Sequence, residues 1–141
     1  MRDQAHSNTE NQITKVVETA NWILRDGDKI LSVRSHGRDR FYLPGGKIDP
    51  GETACDAIKR EINEELGVAL VPDTIRVLGT FAGQGHNQPS NAIVRMTCFA
   101  ADYTGTLEPA REIAEMRWLC PRDFGLMAPM GQKITAAIFD I

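Results

Sequence analysis

The stretch Gly46 to Val68, GKIDPGETACDAIKREINEELGV, decides how the rest of the chain is read. Thr53 with Asp56 three residues later is a helix start signal, and Gly67 is a stop signal. Between them Ala54, Ile58, Ile62 and Leu66 recur every four residues, which stacks them as one apolar stripe for burial. Glu61, Glu64 and Glu65 are three and four residues apart, so their carboxylates project from another face within reach of a common point. Like charges at that spacing repel, and a hard divalent cation such as magnesium or manganese is the usual compensation for clustered carboxylates. Lys59 and Arg60 offset part of the charge, and a solvated acidic surface is the plain alternative. Upstream, Gly45-Gly46 lets backbone approach a ligand without side-chain obstruction, and Gly51 bends the chain again, so a turning loop abuts the acidic face.

Working outward, residues 1–15 are polar and are expected to form a flexible tail, with one domain over 16–141. Val16 to Leu24, a turn at Asp26-Gly27-Asp28 and Ile30 to Val33 suggest a hairpin. After a Gly- and Arg-containing loop, Phe41-Tyr42-Leu43 reads as a short strand stopped by Pro44-Gly45-Gly46. Ile75 to Phe81 and Asn91 to Tyr103 read as paired strands, the second with Ala92, Val94, Met96, Cys98 and Ala100 on one face. Met116 to Leu119 is a last strand, and Ile134, Ala137, Ile138 and Ile141 mark a C-terminal amphipathic helix. This order predicts an α+β fold, a layered sandwich around a mixed sheet.

The 141 residues suffice for one domain, and a net charge of −3 supplies no overall cationic field for nucleic acid. Cys55, Cys98 and Cys120 lie far apart, with no C-x-x-C pair to suggest structural zinc, and no apolar leader opens the chain. A cytoplasmic protein with no membrane partner, a monomer or homodimer, is the expectation.

The same stretch resembles the box of the Nudix hydrolases, G-x5-E-x7-R-E-U-x-E-E-x-G-U with U a bulky aliphatic residue. Gly46, Glu52, Arg60, Glu61, Ile62, Glu64, Glu65, Gly67 and Val68 fill every fixed position. The resemblance implies that family's α/β/α sandwich and a hydrolase that cleaves a nucleoside diphosphate linked to another moiety, with magnesium or manganese. It implies Glu61, Glu64 and Glu65 as metal ligands, Gly46 as a backbone contributor, and Glu52 and Arg60 as residues supporting the catalytic loop and helix. Glu64, Glu65 or a carboxylate of a later loop would be the general base. Glu112 and Glu115 precede a tryptophan-bearing segment similar to one that supplies a further ligand or base in many members, and Glu112 is the favoured candidate. Arg34 and Lys47 suit the substrate's phosphates, and Gly45 its close approach to backbone.

The PGGK run Pro44–Lys47 and the short chain look most like members that convert nucleoside triphosphates, oxidised ones included, to monophosphates. Nucleotide sugars or other nucleoside diphosphate derivatives, or a non-catalytic nucleotide sensor, are the alternatives. Marker residues of the ADP-ribose and diadenosine polyphosphate subgroups are not found at Ala82-Gly83 and Gly85-His86. The loop Gly83 to Pro89 reads first as a polar loop with no ligand role; if it closes over the substrate, His86 or Asn87 would read a base or sugar. Trp22, Trp118 and Cys98 are read as core residues, and Cys55 as no nucleophile.

Overall fold

The computed structural model describes residues 15–86 and 88–139, so most of the expected tail, Asn87 and Ile141 lie outside the described residues. In chain order the elements are β1 (Lys15–Trp22), β2 (Arg25–Asp26), β3 (Lys29–Ser35), β4 (Gly45–Lys47), α1 (Ala54–Leu66), β5 (Ala69–Leu70), β6 (Arg76–Gln84), β7 (Ala92–Ala100), β8 (Tyr103–Thr104), β9 (Ile113–Leu119) and α2 (Pro129–Phe139). The principal sheet runs β4-β1-β7-β6, and a second runs β2-β3-β9, with β5 and β8 paired apart. In the principal sheet β1 lies parallel to β7, while β4 and β6 are antiparallel to their neighbours, so the sheet is mixed.

Alternation along β1 explains the layers. Ala20 and Trp22 enter a core with Ile58, Ile62 and Leu66 of α1, whereas Thr19 and Asn21 face the opposite side and line a cavity. A second core gathers Ile30, Leu43, Cys98 and Leu119 around Met127, Met130 and Ile134 at α2. One helix therefore covers each face, giving an α/β/α sandwich. The Trp22 indole N–H donates to the Ala101 carbonyl at 3.2 Å, which permits its full burial.

Several boundaries differ from those expected. The hairpin is only the β2–β3 pair, Arg25↔Ile30 and Asp26↔Lys29, because β1 is buried toward both faces and takes a central place between β4 and β7. At Ile23 and Leu24 the chain passes between sheets: the Ile23 N–H donates to Phe99, and Leu24 accepts from Leu31. Gly45 and Gly46 do not end a strand; with Lys47 they form β4 against β1. The reason is steric, since an added Cβ at Gly45 would lie 2.1 Å from the Ala20 carbonyl, so glycine permits the strands to meet. Phe41 and Tyr42 make isolated bridges to Met127 and Val33. On α2 the buried side is Met130, Gly131, Ile134 and Thr135, and Ala137 is exposed. Among the described residues no helix is long and apolar enough to cross a membrane.

Candidate active site

The helix α1 is held at both ends by its own sequence. The Thr53 hydroxyl accepts from the Asp56 N–H at 3.0 Å, and Gly67 adopts φ 73° while its N–H returns to the Asn63 carbonyl. Ile58, Ile62 and Leu66 are fully buried, which fixes the rotation of the helix and so the direction of its acidic face.

That face points at β4 and the loop before β9. The Gly45 N–H donates to Glu65 at 3.0 Å, and a Cβ on Gly46 would fall 2.6 Å from the Glu61 carboxylate. The last carbonyls of α1, which have no partner within the helix, accept from that loop: Glu65 from the Ala110 N–H at 2.9 Å and Leu66 from Glu108 at 3.1 Å. Arg111 then turns with φ 56° and delivers Glu112. Glu61, Glu65 and Glu112 thereby present carboxylate oxygens within 4.8 Å of one another. Glu64 is half-buried, 3.7 Å from Arg60, and is not part of this three-member group.

Arg60 is the hub beside it. Its Nε and Nη2 donate to the two oxygens of Glu52 at 2.8 and 2.9 Å, its Nη1 to Glu61 at 2.8 Å, and Nη2 also to the Lys47 carbonyl at 3.1 Å. Glu52 accepts in addition from the Asp49 N–H at 2.9 Å. One guanidinium thus ties the loop after β4 to the carboxylate face. Hydrogen bonds from Arg60 and then from Asp49 hold the Glu52 carboxyl down at about 2.

The other two carboxyls behave oppositely. Burial raises Glu61 even though Arg60 pulls against it. Burial pushes Glu65 up to about 8, the Gly45 N–H opposes the rise, and the negative charges of Glu61, Glu112 and Glu64 add to it. A buried carboxylate among three others is stable in its charged form only with a positive partner, and its donors are all hard oxygens. Glu61, Glu65 and Glu112 therefore fit a hard divalent cation.

Glu65 and Glu112 stand at one end of an open cavity of about 440 Å³. Its floor is Thr19 and Asn21 of β1 with Val94 and Met96 of β7, and Met130 and Gly131 of α2 close the far side. The Asn21 amide donates to the Leu43 carbonyl at 3.2 Å and accepts from the Thr19 hydroxyl at 2.8 Å. Tyr42 and His86 meet at the wall through a hydroxyl-to-Nδ1 hydrogen bond, and the Tyr42 phenol is raised by burial. Gly45, Gly46 and Lys47 line the cavity, whereas Arg34 does not. The Arg34 guanidinium is engaged by Glu115 at 3.0 Å and by the Arg38 carbonyl at 2.9 Å. Asn21, Ser35, Arg38, Tyr42 and Gln88 line it without having been singled out from sequence. The alternation Val17, Thr19, Asn21 within an apolar strand was the one signal for any of them.

The sequence model of the NUDIX domain matches residues 15–139, nearly the whole described chain. The chain belongs to the Nudix hydrolase family. Among relatives of this Nudix protein, the uncharacterized hydrolase YvcI of Bacillus subtilis is 26% identical over 106 residues, covering 75% of this chain and 67% of YvcI. The CTP pyrophosphohydrolase of Escherichia coli is 29% identical over 114 residues, covering 77% and 79% of the two chains. The 8-oxo-dGTP diphosphatase of Haemophilus influenzae is 41% identical over 62 residues, 40% of this chain and 46% of its own. The match to human 8-oxo-dGDP phosphatase NUDT18 spans only 17% of that protein's length. In architecture the Nudix fold is shared with the E. coli ORF135 protein, TM-score 0.72 at 25% identity over 89% of this chain and 90% of that one. A MutT NUDIX hydrolase from Burkholderia pseudomallei has TM-score 0.71 at 20% identity, over 86% and 96% of the two chains.

Proposed function

We propose that this Nudix hydrolase is a magnesium- or manganese-dependent pyrophosphohydrolase of nucleoside triphosphates, releasing a nucleoside monophosphate and pyrophosphate. The observation that carries the reading is the convergence of Glu61, Glu65 and Glu112 at one end of a cavity whose remainder is largely apolar. A polyphosphate belongs at the carboxylate end, and a flat base would lie against Met96 and Met130 of the cavity lining, whose polarisable sulfurs suit an aromatic ring. Relatives named for CTP, 8-oxo-dGTP and RNA pyrophosphate hydrolysis support a nucleotide substrate.

In this reading Glu61, Glu65 and Glu112 hold the cation, which when bound neutralises phosphate oxygens and makes phosphorus a better electrophile. Glu64, outside that group and partly open to solvent, accepts a proton from the attacking water as its oxygen bonds to phosphorus and the anhydride P–O bond breaks. Gly45 and Gly46 let phosphate approach the backbone of β4, and Lys47 offers it a charge. Glu52 and Arg60 hold the loop and Glu61 in place without touching substrate.

The test is hydrolysis of ordinary and oxidised nucleoside triphosphates, nucleotide sugars, ADP-ribose and dinucleoside polyphosphates with and without magnesium. Wild type should release monophosphate from triphosphates, and chelation should stop it. Glu64→Gln should lower kcat at least about a hundredfold while leaving magnesium affinity unchanged, whereas Glu65→Gln should weaken magnesium binding as well. Preferential turnover of nucleotide sugars would refute the triphosphate assignment, and full activity in both variants would refute the site.

A further inference from the structure

Resting on the pyrophosphohydrolase reading, we propose that Arg38, and not Arg34, is the guanidinium that grips a phosphate of the substrate, with Arg34 a positioning residue that acts through the Arg38 backbone. On sequence alone Arg34 suits the substrate's phosphates, but two of its three guanidinium nitrogens are engaged: Nε donates to Glu115 and Nη1 to the Arg38 carbonyl. Arg34 is not among the residues that line the substrate cavity, whereas Arg38 is.

The short turn after β3 is built to present Arg38. Gly37 takes φ 79°, the Arg38 N–H closes the turn on the Ser35 carbonyl at 3.1 Å, and Arg34 clamps the Arg38 carbonyl at 2.9 Å. The His36 N–H donates to the Glu112 carbonyl at 2.9 Å, so the turn is tied directly to a residue of the carboxylate group. The guanidinium itself is left without an ion pair among the described residues, as is Lys47, the other full cation of the cavity wall. Two unneutralised cations flanking clustered carboxylates match a polyphosphate that brings several negative charges and oxygens on more than one phosphorus. A planar guanidinium takes two of those oxygens at once, which an ammonium cannot. Holding the backbone of Arg38 at both its N–H and its C=O lowers the ordering cost of that grip.

The experiment is calorimetric titration of the full chain, with magnesium, against a nucleoside triphosphate whose α–β bridge is a non-hydrolysable methylene, alongside steady-state turnover and thermal melts. Arg38→Gln should weaken binding about ten- to hundredfold and raise KM alike, with the melting midpoint unchanged. Arg38→Lys should recover only part of the loss. Arg34→Gln should weaken binding less, raising KM with little change in kcat, and leave Glu115 paired to Arg117. The double variant should be no worse than Arg38→Gln alone, since Arg34 works through Arg38. Wild-type affinity in Arg38→Gln overturns the inference while the enzyme reading stands, and additive losses in the double variant overturn the positioning role. Failure of wild type to bind or cleave any nucleotide overturns the enzyme reading and the role of Arg38 with it.

Discussion

Gly45 and Gly46 are neighbours with different reasons to lack a side chain. At Gly45, φ is 138° and a Cβ would meet the Ala20 carbonyl at 2.1 Å, both backbone obstacles that nothing can relieve. At Gly46 the obstacle is the mobile end of Glu61 at 2.6 Å. Gly45→Ala should therefore cost about 3 kcal/mol or more of folding stability in a denaturant titration. Gly46→Ala should cost about 1 kcal/mol or less and yet lower turnover about tenfold or more by displacing a carboxylate of the metal site. The residue type was plain in the sequence at both positions, but the difference between them was not, because β1 and α1 approach them from outside the local run. Glu112 is a similar case: its charge was legible, and its arrival beside Glu65 depends on α1's last carbonyls capturing the loop that precedes it.

At the scale of elements, α1 was the most legible part of the chain, since its caps, its apolar stripe and its acidic face all repeat within a few turns. The loop before it depends on one charged link. Glu52 sits near about 2 in the folded chain, against about 4.3 when unfolded, so its pairing with Arg60 stabilises the fold fully above the unfolded value. As pH falls through that window the folded state must surrender a carboxylate it holds more tightly in charged form, and the contribution vanishes. Glu52→Gln, which cannot titrate there, should be less stable than wild type at pH 6, and the gap should close as acid denaturation is followed from pH 5 toward pH 2. A gap that stays constant would mean that the carboxylate charge is not what Arg60 uses. The strands were less legible than the helix: Pro44-Gly45-Gly46 carries turn residues in a place where the β1 backbone demands them for pairing.

For the whole molecule, two separate cores meet at the sheet, one under α1 and one under α2. Ile62 and Ile134 are each fully buried and belong to different cores. Ile62→Ala and Ile134→Ala should each cost about 2–5 kcal/mol, and the double variant should lose close to the sum in one cooperative transition. Tryptophan fluorescence, from Trp22 and Trp118 together, and far-ultraviolet circular dichroism should report the same midpoint. Separate midpoints would show that the two layers unfold independently. The cavity between the layers was the least legible feature, because Asn21, Arg38, Tyr42, His86 and Met130 come from five places along the chain and are united only by the packing.

The parallel register of β1 with β7 has a kinetic side as well. Glu18 pairs with Arg95, 77 positions onward, and β4 in turn leans on β1. The floor of the cavity is thus a contact of long sequence separation, slow to form because a large loop must close before any of its hydrogen bonds is gained. On a ribosome β1 emerges early and waits, its Val16 and Val17 unpaired, until Ala100 has followed it out. The carboxylate helix can form locally during that wait, but the pocket it serves gains its floor only when the last strand of that sheet returns to the first, and its far side only when α2 follows.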